Sequence, residues 1–235
     1  MENNENLLAI RKKVLDVAYK SGTGHIGGSL SSIDFIYTLY KKLRSDFSLI
    51  LSKGHASLGL YAVIEKLELS KEKILENYGK NSLGSKYHGH TSKKAHQTIK
   101  LSSGSLGHGF PFSIGLAVSN KEKKKNEWTV CILGDGELQE GTTWESMLIL
   151  SKFHRDIKLL IVVDNNNSQQ SFDEMPVRFL KKCCEEIEMP YNTIDGNNIE
   201  IIDSVLDNAL NAEKSCMLIL ETTKGYGIPT MHNKE

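Results

Sequence analysis

Apolar residues recur at helical spacing near the start of the chain, at Leu7, Ile10, Val14, Val17 and Ala18. Positions three and four apart share one helix face, so the spacing predicts a helix over 7–20. It stops at Ser21-Gly22-Thr23-Gly24, where glycine lets the chain turn. Ile33, Ile36, Leu39 and Leu43 predict a second helix over 32–43. The apolar run 47–51 predicts a strand that delivers the loop Ser52-Lys53-Gly54-His55. Leu58, Tyr61, Ile64 and Leu67 mark a third helix, and 69–78 a fourth with Ser70 as its N-cap. Residues 79–105 are polar, rich in Gly, His, Ser and Lys, and without period. A loop of that length is unusual in a compact domain unless it serves a site.

Beyond that loop the pattern alternates. A helix over 110–118 precedes a buried-type strand over 129–133, and a helix over 142–153 follows. The next strand is 159–163. A helix over 176–187 has Pro176 in its first turn; a helix over 199–212 and a strand over 216–220 come after it. Strands alternating with helices of this size predict an α/β fold: a parallel β-sheet flanked by helices on both faces. Lys121 to Lys125 is a charge run between a helix and a strand, read as a solvated turn.

A chain of 235 residues, 39% of them hydrophobic, is enough for one domain with a real core. Its 29 basic and 29 acidic residues cancel, so there is no global attraction to nucleic acid or an anionic membrane. The N-terminus has no apolar signal core and no segment is long and apolar enough to span a bilayer; a cytoplasmic protein is expected. Cys131, Cys183, Cys184 and Cys216 lack CxxC spacing and are read as reduced thiols.

Candidate chemistry sits at strand ends, where parallel sheets bind ligands. Gly134-Asp135-Gly136 follows one strand and Asp164-Asn165-Asn166 the next. Asp135 and Asn166 are 31 positions apart, which fits one strand–helix–strand unit. A carboxylate, an amide oxygen and a backbone carbonyl beside a diphosphate would hold Mg²⁺ or Ca²⁺. The alternative is two polar turns that cap helices. Gly104-Ser105-Leu106-Gly107-His108-Gly109 precedes an apolar helix and offers backbone N–H groups to an anion, or else simply turns the chain. No lysine follows in the Walker pattern. Gly22-x-Gly24-x-x-Gly27 matches a dinucleotide fingerprint as a string, but a helix precedes it where a strand is required. His25, His55, His88, His90 and His108 all neighbour glycine on poorly periodic stretches, which suits proton transfer and binding of hydroxyl or phosphate oxygens better than zinc.

Taken in order, these segments resemble the N-terminal, diphosphate-binding domain of transketolases. The stretches are Ser21 to Gly28, Leu51 to Ser57, Gly104 to Gly109, Gly134 to Gly141, Asp164 to Asn166, and Glu221 to Gly227. Two positions depart from the family pattern: Ile26 stands where proline is usual, and His108 where many members have glutamine. The resemblance implies a thiamine-diphosphate fold that uses Mg²⁺ (or Ca²⁺). Asp135 and Asn166 would hold the metal with the Ser168 carbonyl, Asn165 being the alternative if the turn shifts by one. Gly104, Ser105, Leu106, Gly107, Gly134, Asp135, Gly136, Glu137 and Asn166 would line the cofactor. His25, His55, His90 and His108 would be catalytic, and Glu140 would lie at a subunit interface.

The resemblance also implies a reaction: transfer of a two-carbon ketol unit from a ketose to an aldose, phosphorylated or not. Residues 1–235 would form a single domain. The pyrimidine-binding and C-terminal domains are expected on a partner chain, most simply in a heterotetramer, with the chain inactive alone. Alternatives are a subunit of another thiamine enzyme (deoxyxylulose-phosphate synthase-like or 2-oxoacid decarboxylase-like), a non-catalytic interaction protein that retains the fold, and an unrelated phosphate-binding α/β enzyme.

Overall fold

The computed structural model describes residues 2–80, 86–166 and 175–232. Five parallel strands form one sheet: β1 (Phe47–Leu51), β2 (Trp128–Gly134), β3 (Leu159–Asn165), β4 (Tyr191–Asp195) and β5 (Cys216–Glu221), in the order β1-β2-β3-β5-β4. β1 and β2 are buried along their whole length, and β3 and β5 at all but the last residue. A strand covered on both faces reads as a continuous apolar run, which is why these four were predictable. β4 sits at the edge with a polar, half-exposed pattern, and its sequence carries no such signal.

Seven helices cover the sheet among the described residues: α1 (Glu2–Ser21), α2 (Ile26–Leu43), α3 (Ser57–Lys66), α4 (Gly109–Glu122), α5 (Gly141–Phe153), α6 (Met175–Glu186) and α7 (Ile199–Asn211). Alternate strand residues point to opposite faces. Leu49, Leu51, Val130, Ile132, Val162 and Leu218 pack with α1, α2, α3 and α7. Ile50, Cys131, Leu133, Ile161, Val163 and Ile219 pack with α4, α5 and α6. Each fully buried aliphatic side chain stabilises the fold by about 1.5–3 kcal/mol. The helix after β1 thus lies on one face and the helix after β2 on the other. The chain leaves the ends of these two paired strands toward opposite faces, and a crevice opens at such a point. Among the described residues, no helix is long and apolar enough to cross a membrane.

Three expectations need correction. α2 begins at Ile26, six residues earlier than predicted, so Gly27 and Gly28 lie inside its first turn. The predicted fourth helix is absent: 69–78 is bends and a short 3₁₀ turn (Leu75–Asn77). There the Glu65 carboxylate accepts the Leu75 N–H at 2.9 Å, taking the donor a helix would need for its own ladder. Asp164 and Asn165, expected in a turn after β3, still belong to the strand. Cys131, Cys184 and Cys216 are buried free thiols, and Cys183 is a half-buried one.

Candidate functional site

The carboxyl ends of the strands converge on a cleft of about 860 Å³. β1 ends in the loop carrying Lys53 and His55. β2 ends in Gly134, Asp135, Gly136 and Glu137, and β3 ends beside Asn166. The N-terminus of α2 brings His25, Gly27 and Gly28, the long loop brings His90, and the glycine loop brings Gly104 and Leu106. The segment after β5 closes the wall with Lys224, Thr230 and Met231. Lys224 is held there by its neighbours. The Gly225 N–H donates to the Gly27 carbonyl at 3.2 Å, and a Cβ on Gly27 would lie 3.0 Å from Lys224 Cγ.

His25, His55 and His90 come together. The rings of His25 and His55 meet edge to face at 5.5 Å between centroids, and those of His25 and His90 at 5.8 Å. Burial pushes His55 down to about 3, helped by the charges of Lys53, His25 and His90. Burial and His25 also lower His90. His55 is therefore a neutral imidazole at ordinary pH, able to accept or relay a proton but not to carry one at rest. His108 does not join this group. It caps α4 on the exposed side, with Nδ1 3.0 Å from the Leu106 carbonyl. Among the described residues no three His, Cys, Asp or Glu side chains form a metal centre, so the histidine group is not one.

The glycine loop holds an anion, but it is the chain's own. Glu137 is 1% exposed, and its carboxylate accepts the Gly107 N–H at 2.8 Å, the Gly134 N–H at 2.9 Å and the Ser52 hydroxyl. The Gly109 N–H donates to Ser52 Oγ at 3.1 Å. Burial raises Glu137 against these hydrogen bonds. Glycine is required at both places: Gly107 has φ +78°, and a Cβ on Gly109 would lie 2.8 Å from Ser52 Cα. Gly104 and Leu106 line the cleft, whereas Ser105 and Gly107 do not. The Gly107 N–H expected to meet a cofactor is thus engaged on Glu137, which ties the loops after β1 and β2 to the start of α4.

Beneath the floor lies a pair that loop-by-loop reading overlooked. Lys53 is fully buried and donates to Asp164, itself 1% exposed. Asp164 also accepts from Ser31 at 2.7 Å, Ser32 at 3.2 Å, Asn166 Nδ2 at 3.2 Å and Thr222. Burial opposes its charge, yet Lys53 and these hydrogen bonds hold the carboxyl below its usual range. A buried lysine requires such a partner. The available signal was the coincidence of Lys53 and Asp164 at the ends of two apolar strands.

The donor set fits a diphosphate with a hard cation. Asp135 and Asn166 offer a carboxylate and an amide at adjacent strand ends, and Lys224 adds a positive charge across the cleft. Few protein oxygens suit Mg²⁺, which keeps waters and takes phosphate ligands. Asn166 lines the cleft and Asn165 does not; the Asn165 carbonyl instead accepts the Thr222 N–H at 3.1 Å. Ser168 lies outside the described residues. Glu140 is exposed between the loop after β2 and α5.

The chain matches the family model "Transketolase, thiamine diphosphate binding domain" over residues 3–235. It belongs to this transketolase family. An apulose-4-phosphate transketolase subunit of Actinobacillus succinogenes is 31% identical, over 96% of this chain and 88% of that one. The 6-deoxy-6-sulfo-D-fructose transketolase subunit SqwG of a Clostridium species is 30% identical, over 93% and 83%. Human transketolase is 30% identical over 96% of this chain, which spans 38% of the human one. The solved transketolase of Campylobacter jejuni superposes with a TM-score of 0.84 at 24% identity; this chain is covered whole and spans 40% of that protein. The family carries a thiamine diphosphate binding domain, and its members here include subunits of transketolase-type enzymes.

Proposed function

We propose that this chain is the diphosphate-binding component of a split transketolase. It would move a two-carbon ketol unit from a ketose, free or phosphorylated, to an aldose, using thiamine diphosphate and Mg²⁺. The observation that carries the reading is one cleft bringing Asp135, Asn166 and Lys224 together with three histidines. Asp135 and the Asn166 amide oxygen would hold the cation, and Lys224 would balance diphosphate charge. The bound cofactor supplies the nucleophile for carbon–carbon cleavage. His55, kept neutral, would accept or relay a proton from a sugar hydroxyl, and His25 and His90 would orient the sugar's oxygens.

The pyrimidine-binding and third domains would reside on a partner polypeptide. The near-full coverage of relatives named as subunits, against 38% of the human enzyme, supports this division. Two of each chain in a closed heterotetramer is the simplest assembly, with Glu140 at the junction. The test is ketol transfer with thiamine diphosphate and Mg²⁺. The purified chain should be silent, and co-expression with a pyrimidine-domain subunit encoded beside it should restore turnover. Substantial turnover by the chain alone would overturn the split reading. In the active assembly, Asp135→Ala should lose Mg²⁺-dependent cofactor affinity with the fold intact, as read by calorimetry; unchanged affinity would remove Asp135 from the metal site.

A further inference from the structure

Asn166 reaches the cleft with a carboxamide whose two ends are chemically opposite. Its oxygen can ligate a cation and its NH₂ group cannot. A half-turn about the last side-chain torsion exchanges the two at little intrinsic cost, because that torsion is broad and roughly twofold. The choice is made by what the amide touches.

Its inner edge touches Asp164, with Asn166 Nδ2 at 3.2 Å from Asp164 Oδ2. That same oxygen accepts from Lys53 Nζ, from Ser31 Oγ at 2.7 Å and from Ser32 Oγ at 3.2 Å, and Oδ1 accepts from Thr222. A carboxylate surrounded by donors, one of them an ammonium, is an acceptor alone. It can receive the NH₂ edge of Asn166 and repels the carbonyl edge. Of the donors around Asp164, Lys53 and Asn166 also line the cleft; Ser31, Ser32 and Thr222 do not.

We propose that Asp164 is the positioning residue that sets the Asn166 amide, turning its oxygen to the cleft before any cation arrives. Lys53 and the three hydroxyls hold the Asp164 carboxylate in place. The proposal rests on the cation reading of Asn166 above and adds the device that prepares it.

The test uses the assembled protein with its partner subunit, with Mn²⁺ as the probe, titrated by electron spin resonance with thiamine diphosphate present. Lys53→Met with Asp164→Leu removes the buried pair together and leaves the Asn166 amide without its acceptor; it should weaken Mn²⁺ by about tenfold or more, the scale on which groups that orient a ligand act. Ser31→Ala should lower the melting temperature and leave Mn²⁺ affinity within about twofold, since it removes one support and keeps the carboxylate. Lys53→Met with Asp164→Asn keeps a carbonyl oxygen facing Ser31, Ser32 and Asn166 while its NH₂ meets the Thr222 hydroxyl. It should bind Mn²⁺ more tightly than the pair with Asp164→Leu. Unaltered affinity in the pair with Asp164→Leu, or equal affinities in the two pairs, overturns the proposal.

A second measurement needs no variant at Asp164. In the ¹⁵N-asparagine-labelled assembly, the side-chain amide protons lost in Asn166→Ser should exchange slowly with solvent both without and with Mg²⁺. Fast exchange that slows on adding Mg²⁺ would mean that the cation sets the amide, and the proposal would be wrong. If the unaltered assembly binds no Mn²⁺ with the cofactor, the cation reading fails and takes this proposal with it. Normal affinity in Lys53→Met with Asp164→Leu defeats the proposal alone.

Discussion

His55 shows how a single side chain can report its surroundings. Its folded form resists protonation until about 3, against an ordinary value of 6.5. Below pH 6.5 the unfolded chain takes up a proton that the folded chain refuses, so stability falls as pH drops from 6.5 toward 3. Each tenfold loss of proton affinity is worth about 1.4 kcal/mol, so the effect is on the order of a few kcal/mol by about pH 4. Melting temperatures of His55→Gln should therefore decline less on acidification below neutrality than those of the unaltered chain; parallel declines would show that His55 is not held neutral. Glu137 makes a second case. Glu137→Gln turns an NH₂ group toward one of the two backbone donors and should cost about 1–3 kcal/mol in denaturant unfolding. That Asp135, His25 and His55 would share one cleft was legible because polar groups at strand ends and glycine-flanked histidines stand out. Lys53 and Asp164 were less so. A lysine in a loop looks solvated until a distant carboxylate is seen to face it, and these two are 111 positions apart. The place of His108, exposed and apart from the cleft lining, was not legible, because its glycine neighbours signal a helix start and not the direction in which the ring points.

Among the elements, the segment after β5 depends on a strut far from the cleft. Arg11 of α1 pairs with Asp34 of α2, donates Nε to the Tyr226 carbonyl at 3.2 Å and lies 5.0 Å from the centre of the Tyr226 ring. Asn197 joins Asp34 to the same segment, donating to the carboxylate at 3.4 Å and accepting the Thr223 N–H at 2.9 Å. Both charges are buried, so removing one leaves the other unpaired. Arg11→Met should destabilise by about 3–5 kcal/mol. It should also weaken diphosphate binding through Lys224, measured by calorimetry well below the variant's melting temperature. Arg11→Lys should recover only part, since an ammonium lacks the planar fork and the ring contact. If diphosphate affinity is untouched, Lys224 is placed by its own contacts. The helices and inner strands were legible from period and apolar runs. β4 was not, because an edge strand one face of which meets water needs no apolar run. The false helix at 69–78 arose because helical spacing does not reveal that Glu65 competes for a backbone donor.

At the scale of the whole molecule, the site exists because the helices after β1 and β2 leave on opposite faces. The alternation of elements predicted a parallel sheet; the order β1-β2-β3-β5-β4, and hence the position of the crevice, emerges only from long-range pairing. The long polar loop that carries His90 belongs to this scale too. Its far end is tied to the sheet edge: the Leu49 N–H donates to the Thr98 carbonyl at 2.7 Å and the Lys100 N–H to the Leu49 carbonyl at 3.0 Å. Nearer the cleft, the Ser103 N–H donates to the Thr91 carbonyl at 3.1 Å. Fixing a backbone residue costs about 1–2 kcal/mol of conformational entropy. For the described part of this loop that cost falls on folding, not on ligand capture. Cofactor and sugar should then bind with a heat-capacity change set by the surface they cover, and the amides of Leu49 and Lys100 should be protected from hydrogen exchange before any ligand is added. A heat-capacity change several times larger, or protection that appears only after binding, would make the loop a receptor that assembles around its ligand. With the described part of the loop already in place, that wall of the cleft should meet its ligand as a stiff mould, and differences in affinity between sugars should appear in how fast they leave.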